Sequence, residues 1–426
     1  MSNQVISPRR SSRLATIIPA SYWMSIGYSN EEASAMENLQ NDIKAICYGD
    51  SDKTEISLRG SEPGTVIPHH DMMIPHWQKL FRALNGLTST LHITDISLPI
   101  PVLDIMFPIQ SIDLKTLTFY DVKLGNDGLL KLSSFLRENT SVKKLCIGGD
   151  LIDDISVASS LSDAIKNHPT LEILVLVRCF CAEHDTGILE KIMEGCCGLR
   201  ELRLGYEKLG VDGITIMADF IRSNNPTQII QLEDCELKDI DTLLLTAALK
   251  KNTYLKELDL VGNDITESGD KNLLKAMYDP TSIDSIIESN HTIVPYTYDD
   301  SNVTVISQRP LLEQELFTIN ADDNISVQKK IRQKVILAFC GVDGGLFDLS
   351  HLNDFPLQLM PRVLELIQKH TAIRRVKTKT TPVQLEKDAM TRLFHTLRGW
   401  ELPLLFENLN PKKGAAGKRK RRKTRR

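Results

Sequence analysis

Three stretches of this sequence spell one pattern: LEILVL at 171–176, LRELRL at 199–204 and LKELDL at 255–260. Each puts leucine at the first, fourth and sixth places, LxxLxL. Working outward, the same places are held by Leu114, Leu117 and Phe119, by Val142, Leu145 and Ile147, and by Thr227, Ile230 and Leu232. Weaker copies flank these six, at Thr88, Leu91 and Ile93 and at Ile283 and Ile286. First places fall at 88, 114, 142, 171, 199, 227, 255 and 283, spaced by 26, 28, 29 and then 28 throughout. A fixed period of this size marks a repeat array.

The second half of each unit agrees. A glycine comes first and helix-spaced apolar residues follow: Gly128-Leu129-Leu132-Leu136, Gly187-Ile188-Ile192, Gly213-Ile214-Met217-Ile221 and Gly269-Leu273-Leu274-Met277. Each unit therefore reads as a short strand, a turn and a helix of about 10–12 residues. The first, fourth and sixth side chains point inward. One unit cannot bury them alone, so neighbours must stack.

This pattern resembles the leucine-rich repeat, in its long ribonuclease-inhibitor type. The resemblance implies an α/β solenoid, a right-handed arc with a parallel inner sheet and outer helices. It spans 88–294 in about eight units of 28–29 residues. The ninth place of that family is usually Asn or Cys, and here Cys179, Cys235 and Asn263 fit, which gives both cysteines a structural role. Asp150, Glu207 and Val122 depart from it, and irregular turns with a bulged rim are expected there.

Around the array, residues 1–60 read as a mostly disordered basic arm. Arg9, Arg10 and Arg13 precede the first acid, Glu31, without the apolar core of a secretory signal. An organelle transit peptide is the other reading of that start. Residues 61–87 read as an N-terminal cap closed by a helix over His76–Leu84, and 295–325 as a linker. From 326 to 408 the apolar period turns helical, as in Ile331, Val335 and Phe339, in Met360, Val363, Leu364 and Ile367, and in Leu385, Ala389, Leu393 and Leu397. That predicts a small all-α module. Residues 352–365 and 392–406, with the ESNHT stretch at 288–292 and the RRSSRL start at 9–14, are similar to a group of leucine-rich-repeat proteins from diatoms. That resemblance implies no activity.

The charge is uneven. Net charge is −4, yet the last sixteen residues hold ten Lys or Arg, leaving 41 basic against 55 acidic residues in 1–410. Residues 409–426 thus read as a disordered basic tail. Its run Lys418, Arg419, Lys420, Arg421, Arg422 and Lys423 has the density that nuclear import receptors read, which predicts a nuclear protein; a cytoplasmic one is the alternative. Hydrophobic residues at 42% and charged residues at 25% exclude a wholly disordered chain and a coiled-coil rod. No apolar run is long enough for a membrane helix.

Catalytic motifs are missing. No GxxxxGK[ST] loop occurs, and GVDGG at 341–345 lacks the lysine that would meet a phosphate. There is no GxSxG elbow and no HExxH helix. His69, His70 and His76 have only Asp71 as a nearby hard ligand, which makes a poor metal site. The eight cysteines form no pair of CxxC motifs. The reading is a non-enzyme with no cofactor and no catalytic or metal residues.

What remains is the concave face. Tyr120, Ile173, Val175, Arg178, Arg203 and Tyr206, drawn from neighbouring strands, should converge into one patch for a protein or peptide partner. Arg203 and Tyr206 read as solvent-facing, so their loss should leave stability within about 0.5 kcal/mol. Two other functions stay open. One is a nucleic-acid-associated factor whose tail binds phosphates without reading sequence. The other is a small-GTPase regulator, because the Ran GTPase-activating proteins are similar arrays, although those carry acidic C-terminal stretches.

Overall fold

The computed structural model describes residues 16–48, 54–60, 66–84, 88–107, 113–180, 186–296 and 311–340. The chain divides into two compact units, Met1–Asp270 with Pro295–Asp299 and Lys271–Val294 with Asp300–Arg426.

The first unit holds the repeat array as far as Asp270. Two helices lead in, α1 (Ala20–Ser25) and α2 (Asn30–Tyr48). Strands and helices then alternate: β1 (Glu55–Arg59), α3 (Ile74–Ala83), β2 (Thr90–Thr94), α4 (Ile100–Met106), β3 (Thr116–Tyr120), α5 (Gly125–Glu138), β4 (Lys144–Gly148) and α6 (Ile155–Lys166). They continue as β5 (Ile173–Val177), α7 (Thr186–Gly195), β6 (Glu201–Gly205), α8 (Gly210–Arg222), β7 (Ile229–Glu233), α9 (Asp239–Leu249), β8 (Glu257–Asp259) and α10 (Glu267–Met277). After α11 (Ile283–Ile287) comes a last strand, β9 (Val294–Tyr296). The sheet runs β1 to β9 in chain order, and β1 to β8 pair in parallel.

Register follows the leucines. Leu117, Leu145, Leu174, Leu202, Ile230 and Leu258 lie side by side across six strands. Phe119, Ile147, Leu176 and Leu204 form the next inward row, and both rows are buried. Each such side chain contributes roughly 1.5–3 kcal/mol by leaving water. Helices pack on their neighbours to close the layer. At the end of α7, a Cβ on Gly195 would sit 2.6 Å from the Ser162 carbonyl of α6, so only glycine permits that approach. The return from helix to strand also recurs. Asn139 Oδ1 accepts from Ser141 and Val142 amides at 2.8 and 2.9 Å, and Asn252 Oδ1 from Tyr254 and Leu255 amides at 2.9 and 2.7 Å.

The ends differ from the sequence reading. Residues 20–48 and 55–59 are helical and extended, not a disordered arm: Trp23, Met36, Leu39 and Ile43 bury against the array. The array therefore begins one strand earlier than residue 88, and α3 is a repeat helix, not the closing cap; α2 packs on both α3 and β1. At the other end, Ile283–Ile287 forms a helix where a strand was expected. Ser282 accepts the Ser285 amide and starts that helix locally. The presumed linker holds β9 and α12 (Leu311–Ala321).

The second unit contains α11, α12 and α13 (Val327–Cys340). Its core does not follow the predicted stripe. Ile331 and Val335 are half-buried, while Lys330, Lys334, Leu337 and Ala338 are buried. Lys334 Nζ donates to the Met277 and Asn290 carbonyls at 2.7 and 2.8 Å. Met277 ends α10, and a cation suits a helix C-terminus. Burial, with Lys330 adding, pulls the Lys334 ammonium down to about 7. Burial and then Lys334 pull neighbouring His291 down to about 4. Phe339, the remaining predicted segments of 341–408 and the basic tail with Lys418–Lys423 lie outside the residues whose surroundings are described.

Candidate functional site

The outward side chains of the strands make three rows. The first runs Thr116, Lys144, Ile173, Glu201, Ile229 and Glu257; the second Thr118, Cys146, Val175, Arg203, Gln231 and Asp259. The third, at the strand ends, runs Tyr120, Gly148, Val177, Gly205 and Glu233.

Just past strands β2 to β8 the chain turns through a left-handed residue. Asp95, Asp121, Gly149, Arg178, Tyr206, Asp234 and Gly262 hold φ between 51° and 76°, always at the eighth place of the repeat. Five of the seven are not glycine. A non-glycine residue there stores strain of order 1 kcal/mol or more, and such residues gather at ligand-facing edges. The turn lets each strand-end carbonyl accept from the previous repeat: Gly205 O from the Arg178 amide at 3.0 Å and Glu233 O from the Tyr206 amide at 2.9 Å. It also throws the eighth side chain out over the rim.

These side chains meet. Arg178 Nη2 lies 3.0 Å from Asp121 Oδ2, and its guanidinium sits 5.5 Å from the Tyr120 ring centroid. Tyr206 bonds to Asp234, which holds its phenol above the usual range. The two glycines between them make room. A Cβ on Gly148 would strike the Tyr120 ring, and one on Gly149 would strike Asp121. Tyr206 stands 53% exposed at this edge.

The floor beneath is partly apolar. Ile173, Val175 and Val177 on β5 are half-buried, with Ile229 two strands on. Between Ile173 and Ile229 sits Glu201, whose side chain is only 4% exposed. Arg203 pairs with it directly, and Arg200 Nη2 reaches it at 3.3 Å. Arg200 and Lys143 also flank Glu172, at 3.9 and 3.2 Å. The six residues expected to form a patch thus stand on β3, β5 and β6 and the turns after β5 and β6. Arg203 is not the free solvent-facing residue of the sequence reading: it carries the compensation of a buried carboxylate.

Below the rim lies the ninth-place ladder. Asn263 does two jobs: its Oδ1 accepts from the Cys235 and Leu237 amides at 2.9 and 3.0 Å, and its Nδ2 donates to the Leu232 and Leu260 carbonyls at 2.7 and 2.8 Å. Where acids replace it, the jobs are split. Glu207 accepts from the Cys179 and Phe180 amides at 2.8 and 3.0 Å, and Asp150 Oδ1 from the Gly125 amide at 3.3 Å. The thiols supply the donors: Cys179 Sγ to the Ile147 carbonyl at 3.3 Å, Cys235 Sγ to the Leu204 carbonyl at 3.5 Å. Acid and thiol in adjacent repeats together replace the asparagine. The turns at Asp150 and Glu207 therefore stay in register, against the expectation of a bulge, and both cysteines are structural.

The histidines have local roles. His70 Nδ1 accepts the Met72 amide, His69 lies 3.5 Å from Asp71, and His76 is buried. Among the described residues no group of three possible ligands gathers as a metal site, and no helix is long and apolar enough to cross a membrane.

Sequence reasoning missed Asp121 and Glu201. Asp121 was findable, since it holds the same eighth place as Arg178 and Tyr206. The burial of Glu201 carried no sequence signal, because its place in the strand is normally solvated.

Comparison with known proteins agrees with this geometry. No protein-family model matches the chain. Ribonuclease inhibitor from Sus scrofa is 27% identical over 202 residues, 46% of this chain and 44% of the relative. Ribonuclease inhibitor from Mus musculus is 27% identical over 204 residues, with the same shares covered. NACHT, LRR and PYD domains-containing protein 14 from Homo sapiens is 29% identical over 169 residues, 39% of this chain and 15% of the relative. The chain spans less than half the length of these curated relatives. The 28-residue period and the parallel sheet built on it give the chain a leucine-rich-repeat solenoid fold, similar over the matched residues to that of the ribonuclease inhibitors.

Proposed function

We propose that this chain is a non-enzymatic binding protein that holds a protein or peptide on its concave face. The observation that carries the reading is the rim: a row of strained left-handed turns that hold Arg178 and Tyr206 out, with Tyr120 at the end of β3 beneath the Arg178 guanidinium, beside the half-buried apolar floor of β5. Tyr and Arg beside desolvatable area are the residue types that anchor interfaces. Relatives named for inhibiting ribonuclease support a protein partner. The partner suited to this surface offers apolar side chains to Ile173 and Val175 and an acidic group to the rim.

Tyr206 gives the clean test, since it faces solvent and its loss leaves no buried group unpaired. Tyr206→Ala should leave stability within about 0.5 kcal/mol. Affinity for a partner captured by the wild-type chain should fall about tenfold, or ~1.4 kcal/mol. A stable variant that binds the same partner with unchanged affinity would show that the rim is only solvated edge.

The basic tail supports a nuclear address within the same proposal, through an import receptor at Lys418–Lys423. A fluorescent fusion ending at Asn410 should lose the nuclear accumulation of the full chain. Nuclear concentration of the truncated fusion would remove the tail from the reading.

A further inference from the structure

We propose that Glu207 is a proton-operated latch beneath the binding edge: its ionisation sets how firmly the turn after β5, which carries Arg178, is held, so that the edge responds to pH. The proposal rests on the binding reading above and adds regulation to it.

Position comes first. Glu207 directly follows Tyr206, and its two carboxylate oxygens accept from the amides of Cys179 and Phe180, the two residues directly after Arg178. One side chain thus ties together, from below, the two turns that carry Arg178 and Tyr206. It is fully buried. In the repeat that begins at Leu255 the same seat is held by Asn263, which grips the preceding turn by the same kind of bonds and cannot titrate. Glu207 brings a proton equilibrium to a seat that does not require one.

Its surroundings set where that equilibrium lies. Arg178 is the charged group that faces it from the preceding turn, with Cys179 beside it and Asp150 beyond the thiol. From the following turn comes Cys235, and Asp234 is tied to Tyr206. Burial pushes the carboxyl up to about 7, while the two amides and Arg178 pull the other way. A free carboxyl of this kind titrates near 4.5. Between those values the folded chain binds a proton the unfolded chain has lost. The fold's stability from this group is therefore full below the unfolded range and is lost as pH rises through about 7. Above that point the ionised carboxylate accepts the two amides more strongly and attracts Arg178, in competition with Asp121.

The test needs no partner. In the full chain with carbon-13 glutamate, the Glu207 carboxyl should titrate with a midpoint of about 7. The amide signals of Arg178, Cys179 and Phe180 should move with the same midpoint. In Glu207→Gln, which keeps one of the two acceptor oxygens and removes the proton, those amides should not titrate. A carboxyl midpoint below about 5.5, near the ordinary range, overturns the latch. So do amide signals that titrate unchanged in Glu207→Gln. If that variant fails to fold, the wild-type carboxyl midpoint decides alone. Failure here leaves the binding reading standing, whereas unchanged binding by Tyr206→Ala sinks that reading and leaves this titration as it was.

Discussion

Leu258→Ala is expected to lower the free energy of unfolding by about 2–4 kcal/mol, the largest effect of any single change considered. Leu258 is fully buried at the fourth place of its repeat, beside Ile230 on the next strand. Truncation removes its transfer free energy and leaves a cavity that a close-packed layer cannot refill. The loss should appear as a lower urea midpoint and as faster amide exchange in β7 and β8. An unchanged midpoint would mean that the inward register runs through other residues.

Arg203→Ala is expected to cost about 2 kcal/mol, although Arg203 itself is only half-buried. The cost comes from the partner. Glu201 has almost no contact with water, and removing its direct ion pair leaves Arg200 to compensate a buried charge alone. A pair exposed on both sides would be worth far less. The double variant Arg203→Ala with Glu201→Gln should recover most of the loss, since no charge is then left buried. A double-mutant cycle reads that coupling directly. If Arg203→Ala alone proves neutral, the pair contributes only surface complementarity.

The two changes mark where sequence reading succeeds and where it stops. Leu258 could be placed inward from sequence because burial of a repeat leucine follows from period alone: 28 residues on, the next strand must offer the same face. Tyr120, Arg178 and Tyr206 could be placed on one edge for the same reason. Glu201 could not. Its outward place says exposed, yet it lies between Ile173 and Ile229, paired with Arg200 and Arg203, and is buried. The acids at Asp150 and Glu207 misled in the opposite sense. Taken one repeat at a time they break the asparagine pattern. Taken in pairs with Cys179 and Cys235 they restore it, and that pairing is visible only when repeats are stacked. The ends failed for a further reason. Lys334 is polar in any sequence pattern, and its burial depends on two carbonyls far away in the chain. The leading helices carry no repeat signature at all.

The glycines at the rim bear on how such a molecule can be altered. Asp121 leans across Gly149, a full repeat away, to reach Arg178 in the repeat beyond, and Tyr120 lies across Gly148 on the way. Asp234 leans across Gly262 in the same sense. A single repeat therefore does not own its surface chemistry. Transplanting the unit that carries Arg178 into another array would deliver an arginine without its acid or its aromatic support. Placing a larger residue at Gly149 would break a contact made by two other repeats. The smallest transferable recognition element here is a run of three consecutive units, from Leu114 through the turn at Cys179. Recombination or engineering that cuts inside that run would keep the fold and scramble what it displays.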